Sequence, residues 1–254
     1  MIPKIIHYCW FGTKKQPKLV QDCIRSWKTH LPDFEIKCWT EENLPFKHPF
    51  VEAALKNRKF AFASDYARLA IIKLYGGIYL DTDMWVLKTF DDFLSYDIVL
   101  GYESPGVIAF GIIGAISNHP VIDSFINFYD NNQFDPELPP MIPVVLTDAY
   151  FKIKDKSQLA NNKIFAPDYF YPKPFAAKNE ANDKYITQNT YAVHLWNHSW
   201  RNEIYMILNR EYWQAFFKII DSVIHNKQER FNPVYYLNIA RAVKRSIKVN
   251  PKNQ

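Results

Sequence analysis

The segment from Phe62 to Gly77, FASDYARLAIIKLYGG, limits the fold more than any other part of the chain. Apolar residues occupy nearly every side between Tyr66 and Tyr75, which predicts a helix buried almost all round. Ser64 is the expected N-cap, with Asp65 set against the positive end of the helix dipole. Gly76 and Gly77 stop the helix. Ile78 to Leu87, IYLDTDMWVL, then reads as one strand running into its end. A buried helix passing through glycines into an apolar strand belongs in a layered α/β domain, where helices cover the sheet.

The flanking sequence extends that layer. The opening IPKIIHYCWFG is an apolar, aromatic run ended by Gly12, as a buried strand followed by a loop would be. Gln21 to His30 reads as a helix and Phe34 to Trp39 as a second strand. That β-α-β order implies a parallel sheet with a right-handed crossover. Strands are expected at Ile98–Tyr102 and Val107–Ile116, and a helix at Pro120–Tyr129. The stretches Phe134–Pro143 and Asp168–Asp183 read as irregular, and Tyr191–Trp196 as a further strand. Helices are expected at Tyr205–His225 and Pro233–Ile247. The expected division is an α/β domain over 1–204 and a helical extension over 205–254, packed on it and ending in a basic tail.

Composition narrows the function classes. At 254 residues and 48% hydrophobic, the chain can bury one sizeable core. A net charge of +5 fits an anionic ligand such as a nucleotide, or an anionic membrane surface. The sequence carries no nucleic-acid-binding motif, so no nucleic acid partner is expected. Cys9, Cys23 and Cys38 lack zinc or redox spacing, so reduced thiols and a cytoplasmic location are expected. The run Ile5–Phe11 contains His7 and does not read as a signal peptide. The longest apolar run, Val107–Ile116, is broken by Gly111 and Gly114 and is too short to span a bilayer. Arg241, Lys244, Arg245, Lys248 and Lys252 form a tail without acids, expected to contact an anionic membrane peripherally.

Three groups of residues carry chemistry. Asp81 and Asp83 form a D-x-D; on an extended strand their carboxylates share a face and repel unless a cation neutralises them. Hard divalent ions take such oxygen ligands and bridge to phosphate. In an open α/β sheet, ligands bind beyond the carboxyl ends of strands, where this pair lies. Asp65 and Arg68, at i and i+3, share a helix face as an ion pair or as a sugar and pyrophosphate contact. In VHLWNHSW, Val193 to Trp200, His194 or His198 could complete a metal site. Ser199 and Trp200 there could hydrogen-bond a phosphate.

Together IPKIIHYCWFG, FASDYARLAIIKLYGGIYLDTDM and AVHLWNHSW resemble glycosyltransferase family 32. This is the DXD-containing group that includes capsular polysaccharide enzymes, and it is distantly similar to the catalytic domains of clostridial glucosylating toxins. The resemblance implies a GT-A fold: a Rossmann-like, mixed but mainly parallel sheet flanked by helices. It implies a nucleotide-sugar donor, UDP-hexose by preference, Mn²⁺ or Mg²⁺, and retention of anomeric configuration. Trp10 would lie against the nucleobase. Asp65 and Arg68 would contact the donor sugar, with Tyr79 nearby. Asp81 would serve ribose, sugar and metal-bound water, Asp83 the metal directly, and His194 would be a further ligand. Ser199 and Trp200 would close on the diphosphate. Members often carry Gly-Pro before the acceptor-facing helix; here the sequence from Met141 to Asp148 is MIPVVLTD, without the glycine.

The expected function is hexose transfer to a glycan or lipid-linked acceptor in surface polysaccharide synthesis. The expected route is front-face, with the departing phosphate accepting the acceptor's proton. A double displacement would need a nucleophilic carboxylate, for which Glu103 and Asp148 are the candidates. The alternatives are a metal-dependent nucleotide-sugar hydrolase and a non-catalytic carbohydrate-binding protein.

Overall fold

The computed structural model describes residues 1–12, 15–136, 142–197, 207, 212–225 and 233–248. It divides into two compact units, Met1–Asn197 and His198–Gln254. In the first, strand β1 (Ile5–Cys9) leads to helix α1 (Lys18–His30), which returns as β2 (Glu35–Trp39), parallel to β1 with Ile6 opposite Ile36. Helix α1 buries Val20, Cys23, Ile24 and Trp27, an i, i+3, i+4, i+7 stripe.

Helices α2 (Pro49–Lys56) and α3 (Phe60–Tyr75) follow, then β3 (Gly77–Leu80) parallel to β1 on the side away from β2. The glycines between α3 and β3 are required by geometry. Gly76 adopts φ 63°, in the left-handed range that side chains disfavour. Gly77, at φ 94°, has no room for a Cβ, which would lie 2.7 Å from the Ile5 carbonyl oxygen.

Two local expectations are corrected. Helix α3 starts at Phe60 with Lys59 at its N-cap, so Ser64 is not the cap. The Ser64 hydroxyl instead donates back to the Phe60 carbonyl at 3.0 Å, the i−4 bond available to a mid-helix serine. The run Ile78–Leu87 is not one strand. β3 ends at Leu80, Asp81 to Asp83 form a turn closed by the Met84 amide on the Asp81 carbonyl (3.0 Å), and β4 (Met84–Val86) starts a second sheet. Helix α1 captures β4: Trp27 Nε1 donates to the Met84 carbonyl and the Val86 amide donates to Ser26 Oγ. These side-chain bonds hold β4 out of the main sheet.

β5 (Ile98–Ser104) and β6 (Val107–Ala115) form a hairpin, and β6 lies antiparallel beside β3. With β7 (Asn162–Phe165) parallel to β5, the sheet order is β2-β1-β3-β6-β5-β7, with β6 alone reversed. This is the mixed, mainly parallel sheet expected. Helix α4 spans Pro120–Asp130. Helix α5 (Ile142–Phe151) begins inside the stretch expected to be irregular, and the short α6 (Pro167–Phe170) opens the second such stretch. β8 (Ala192–His194) pairs antiparallel with β4. One core cluster packs α2 to α5 on the sheet and another packs α1 and α6. Ile78 and Leu80 enter the α1 cluster and Tyr79 the α3 cluster, the alternation expected of a strand buried on both faces.

In the second unit, helices α7 (Tyr212–His225) and α8 (Pro233–Lys248) share a small buried cluster of Ile207, Ala215 and Ala242, with Ile219, Ile239 and Val243 against it. No helix among the described residues is long and apolar enough to cross a membrane.

Candidate functional site

The site lies where β1 and β3, neighbours in the sheet, release their chains at the same edge. Trp10 follows β1 and Asp81 follows β3. The Asp81 amide donates to the Gly111 carbonyl on β6 (2.8 Å), so the turn starts from a fixed point. The antiparallel register puts His194 opposite Met84, next to Asp83. The Leu195 amide donates to the Asp83 carbonyl (3.0 Å), and the Asn197 amide to Asp83 Oδ2 (2.8 Å). His194 Nε2 lies 3.2 Å from Asp83 Oδ1.

Ligand atoms of Asp81, Asp83 and His194 all lie within 4.8 Å of one another. The turn, not strand alternation, brings the two carboxylates together. Burial works against charge on both Asp83 and His194, yet each holds the other charged. Asp83 is lowered by His194 and the Asn197 amide; His194 is raised by Asp83, Asp81 and Glu103. Two carboxylates and an imidazole form the mixed oxygen and nitrogen donor set that suits a divalent first-row ion. These residues fit such an ion.

Arg68 lies beneath this cluster, 5% exposed. Its Nε donates to the Ser64 carbonyl (3.2 Å) and its Nη1 to the Phe110 carbonyl (2.5 Å) and Asp81 Oδ2 (3.4 Å). Its Nη2 lies 2.7 Å from Asp65 Oδ1 and 3.2 Å from Asp81 Oδ1. A guanidinium has five N–H groups, and these contacts occupy that capacity. Tyr79 is 1% exposed, with its ring 4.7 Å from the guanidinium carbon. Arg68 and Tyr79 therefore support Asp81 from inside. Burial pushes the Asp65 carboxyl up to about 7, with the Arg68 guanidinium acting against that rise.

Trp10 is half-buried, and its Nε1 is buried without a hydrogen-bond partner among the described residues. Asp148 lies apart on α5, exposed and paired with Lys152 at 2.6 Å. Glu103 sits at a register shift in β5 between Tyr102 and Ser104, the kind of bulge that re-aims a side chain. Burial raises the Glu103 carboxyl, and the charge of His194 acts against that rise. His198, Ser199 and Trp200 lie outside the described residues.

Sequence reasoning passed over three contributors. The Tyr171 hydroxyl accepts the Ile112 amide (3.0 Å), where the β5–β6 register shifts between Val99 and Gly101. Trp196 packs its ring 4.2 Å from that of His194, and its Nε1 donates to the Lys173 carbonyl at 2.7 Å. Gly111 is closely hemmed in: a Cβ would lie 3.1 Å from the Tyr171 hydroxyl and 3.2 Å from Asp81 Oδ2, so one of them would have to give way. Only the glycine left a trace in the sequence, as a break in an apolar run.

The sheet order makes this a mixed, mainly parallel α/β domain, with the turn bearing Asp81 and Asp83 beyond the end of β3. Comparison with known proteins agrees: residues 17–100 match the glycosyltransferase sugar-binding region containing the DXD motif. The chain is a glycosyltransferase whose residues 17–100 carry a sugar-binding region of the DXD type. An uncharacterized glycosyltransferase of Acanthamoeba polyphaga mimivirus is 29% identical over 215 residues, 79% of this chain and 84% of that protein. The human alpha-1,4-N-acetylglucosaminyltransferase is 26% identical, over 58% of this chain and 46% of that protein. Inositol phosphoceramide mannosyltransferase 3 of Schizosaccharomyces pombe is 25% identical, over 66% and 51%. The chain thus spans about half the length of these last two relatives. Among solved structures, the PaToxG glycosyltransferase aligns with a TM-score of 0.48 at 17% identity, covering 96% of this chain and 86% of that one.

Proposed function

We propose that this chain moves a hexose from a nucleotide sugar, UDP-hexose by preference, to a hydroxyl of a glycan or lipid-linked acceptor in surface polysaccharide synthesis. In this reading the anomeric configuration is retained and the reaction depends on Mn²⁺ or Mg²⁺. The observation that carries it is the convergence of Asp81, Asp83 and His194. The names of relatives that glycosylate inositol phosphoceramide and lactosylceramide favour a lipid-linked acceptor. Three free cysteines favour a cytoplasmic location.

When bound, the divalent ion would supply Lewis-acid stabilisation of the diphosphate leaving group. Asp83 and His194 would hold it directly. Asp81, the most open of the three, would divide its oxygens between the ion's water and the donor's hydroxyls. Asp65 and Arg68 would fix Asp81 in that position, so its geometry is set before the donor arrives. Trp10 would lie against the base, and Ser199 and Trp200 would close on the diphosphate. The departing phosphate oxygen would accept the acceptor's proton on the face where the new bond forms, so no separate base is required.

A thermal-shift screen of UDP- and GDP-hexoses with Mn²⁺ tests the donor, since a ligand of the native state raises its melting temperature. The expected result is a shift with a UDP-hexose that requires Mn²⁺, followed by transfer to a glycan or glycolipid faster than release of free sugar. Hydrolysis outpacing transfer with every acceptor would overturn the transferase reading in favour of a hydrolase.

A further inference from the structure

Helix α7 exposes a row of large apolar side chains. Trp213 is 75% exposed, Phe217 65% and Phe216 51%, with Tyr212 and Ile220 beside them. The spacing 212, 213, 216, 217, 220 places all five on one helix face. The opposite side carries Ala215 and Ile219 into the contact with α8. Helix α8 repeats the arrangement with charge added. Pro233, Tyr236, Leu237, Ala240, Arg241 and Lys244 are all exposed, at spacings that again make one stripe.

Exposed aromatic rows of this size mark interaction surfaces. Charge selects among the partners. Residues 198–254 hold ten Lys and Arg against four Asp and Glu, a net +6, while the whole chain carries +5. From Phe231 to the last residue there is no acid. The catalytic unit is therefore close to neutral, and the net positive charge belongs to residues 198–254, with Arg241, Lys244, Arg245 and Lys248 on α8. Tryptophan and phenylalanine on one helix face, with arginine and lysine nearby, suit the boundary between lipid headgroups and acyl chains.

We propose that the exposed faces of α7 and α8 dock this enzyme on an anionic lipid bilayer. The aromatics insert among the acyl chains, and Arg241 and Lys244 meet the headgroup phosphates. The proposal goes beyond the donor chemistry and does not depend on it. It explains why a glycosyltransferase with no membrane-spanning helix among its described residues keeps apolar surface open: the surface brings the catalytic unit to where a lipid-linked acceptor resides.

Co-sedimentation of the full chain with vesicles tests this. One set is phosphatidylcholine alone, the other phosphatidylcholine mixed with phosphatidylglycerol. Wild-type protein is expected to pellet with the mixed vesicles and not with the neutral ones. Two double variants probe the faces, Trp213→Ser with Phe217→Ser and Arg241→Gln with Lys244→Gln. Each is expected to bind mixed vesicles at least about tenfold more weakly, with an unchanged melting temperature and an unchanged response to nucleotide sugars. Undiminished binding by either variant, or equal binding of wild type to both vesicle types, overturns the proposal. So does a wild-type dimer that the aromatic variant converts to monomer, since the face would then belong to a second copy.

Discussion

Replacing Arg68 should destabilise the protein through geometry as much as charge. The guanidinium bridges Asp65 and Asp81 and also serves the Ser64 and Phe110 carbonyls. Arg68→Met leaves two carboxylates facing each other in a largely buried site. Breaking a buried pair in this way costs about 3–5 kcal/mol, a fall in melting temperature of roughly 10 °C for a domain of this size. Arg68→Lys is the sharper test because it keeps the charge. An ammonium offers three donors from one point, so at least two of the contacts are lost. Hydrogen bonds involving charged groups contribute about 1.5–3 kcal/mol each, so a loss of about 3 kcal/mol or more is expected. Urea unfolding followed by circular dichroism measures it. An Arg68→Lys protein within about 0.5 kcal/mol of wild type would refute the clamp and free Arg68 for a ligand.

Tyr171→Phe should cost about 1–3 kcal/mol, because the Ile112 amide loses its acceptor in a buried place; the same unfolding assay reads it. Gly111→Ala should displace Asp81 or the Tyr171 hydroxyl by a few tenths of an ångström, with donor turnover falling at least about tenfold while the protein stays folded; full activity would show that Asp81 tolerates the shift. His7 provides a pH dependence. Burial pushes its pKa down to about 4 from 6.5, with the Nε2 hydrogen bond to the Gly76 carbonyl acting against that fall, while its Nδ1 accepts from Trp39 Nε1. The unfolded chain takes up the proton first. Stability is therefore fully present above pH 6.5 and is lost as pH falls toward 4, by about 3 kcal/mol. Urea midpoints across that range should show a slope that His7→Gln reduces; an identical slope in the variant would contradict the assignment.

Much of the fold was legible because both faces of the sheet are buried and the punctuation is local. The apolar run before Gly76 could only be an interior helix, and the opening segment could only be a strand beside its own crossover. The errors arose where side chains override pattern. Nothing in IYLDTDMWVL shows that Trp27 and Ser26, some sixty residues earlier, draw Met84 to Val86 out of the sheet and turn the chain at Asp81. Ser64 has the residue type of a cap but sits one turn inside a helix whose start at Lys59 lacks any side-chain signal. At the site, residue types chosen for their chemistry were brought together at Asp65, Arg68, Asp81, Asp83 and His194. Tyr171 and Trp196 were invisible because their roles depend on a register shift and a ring contact, which sequence does not encode locally.

The most direct test of the central claim is Mn²⁺ binding measured by electron paramagnetic resonance, without donor. Wild-type protein should remove one equivalent of Mn²⁺ from the free-ion signal, and Asp83→Ala and His194→Ala should each weaken binding at least about tenfold while remaining folded by circular dichroism. Equal Mn²⁺ binding by wild type and Asp83→Ala would contradict the account, since the metal would then lie elsewhere.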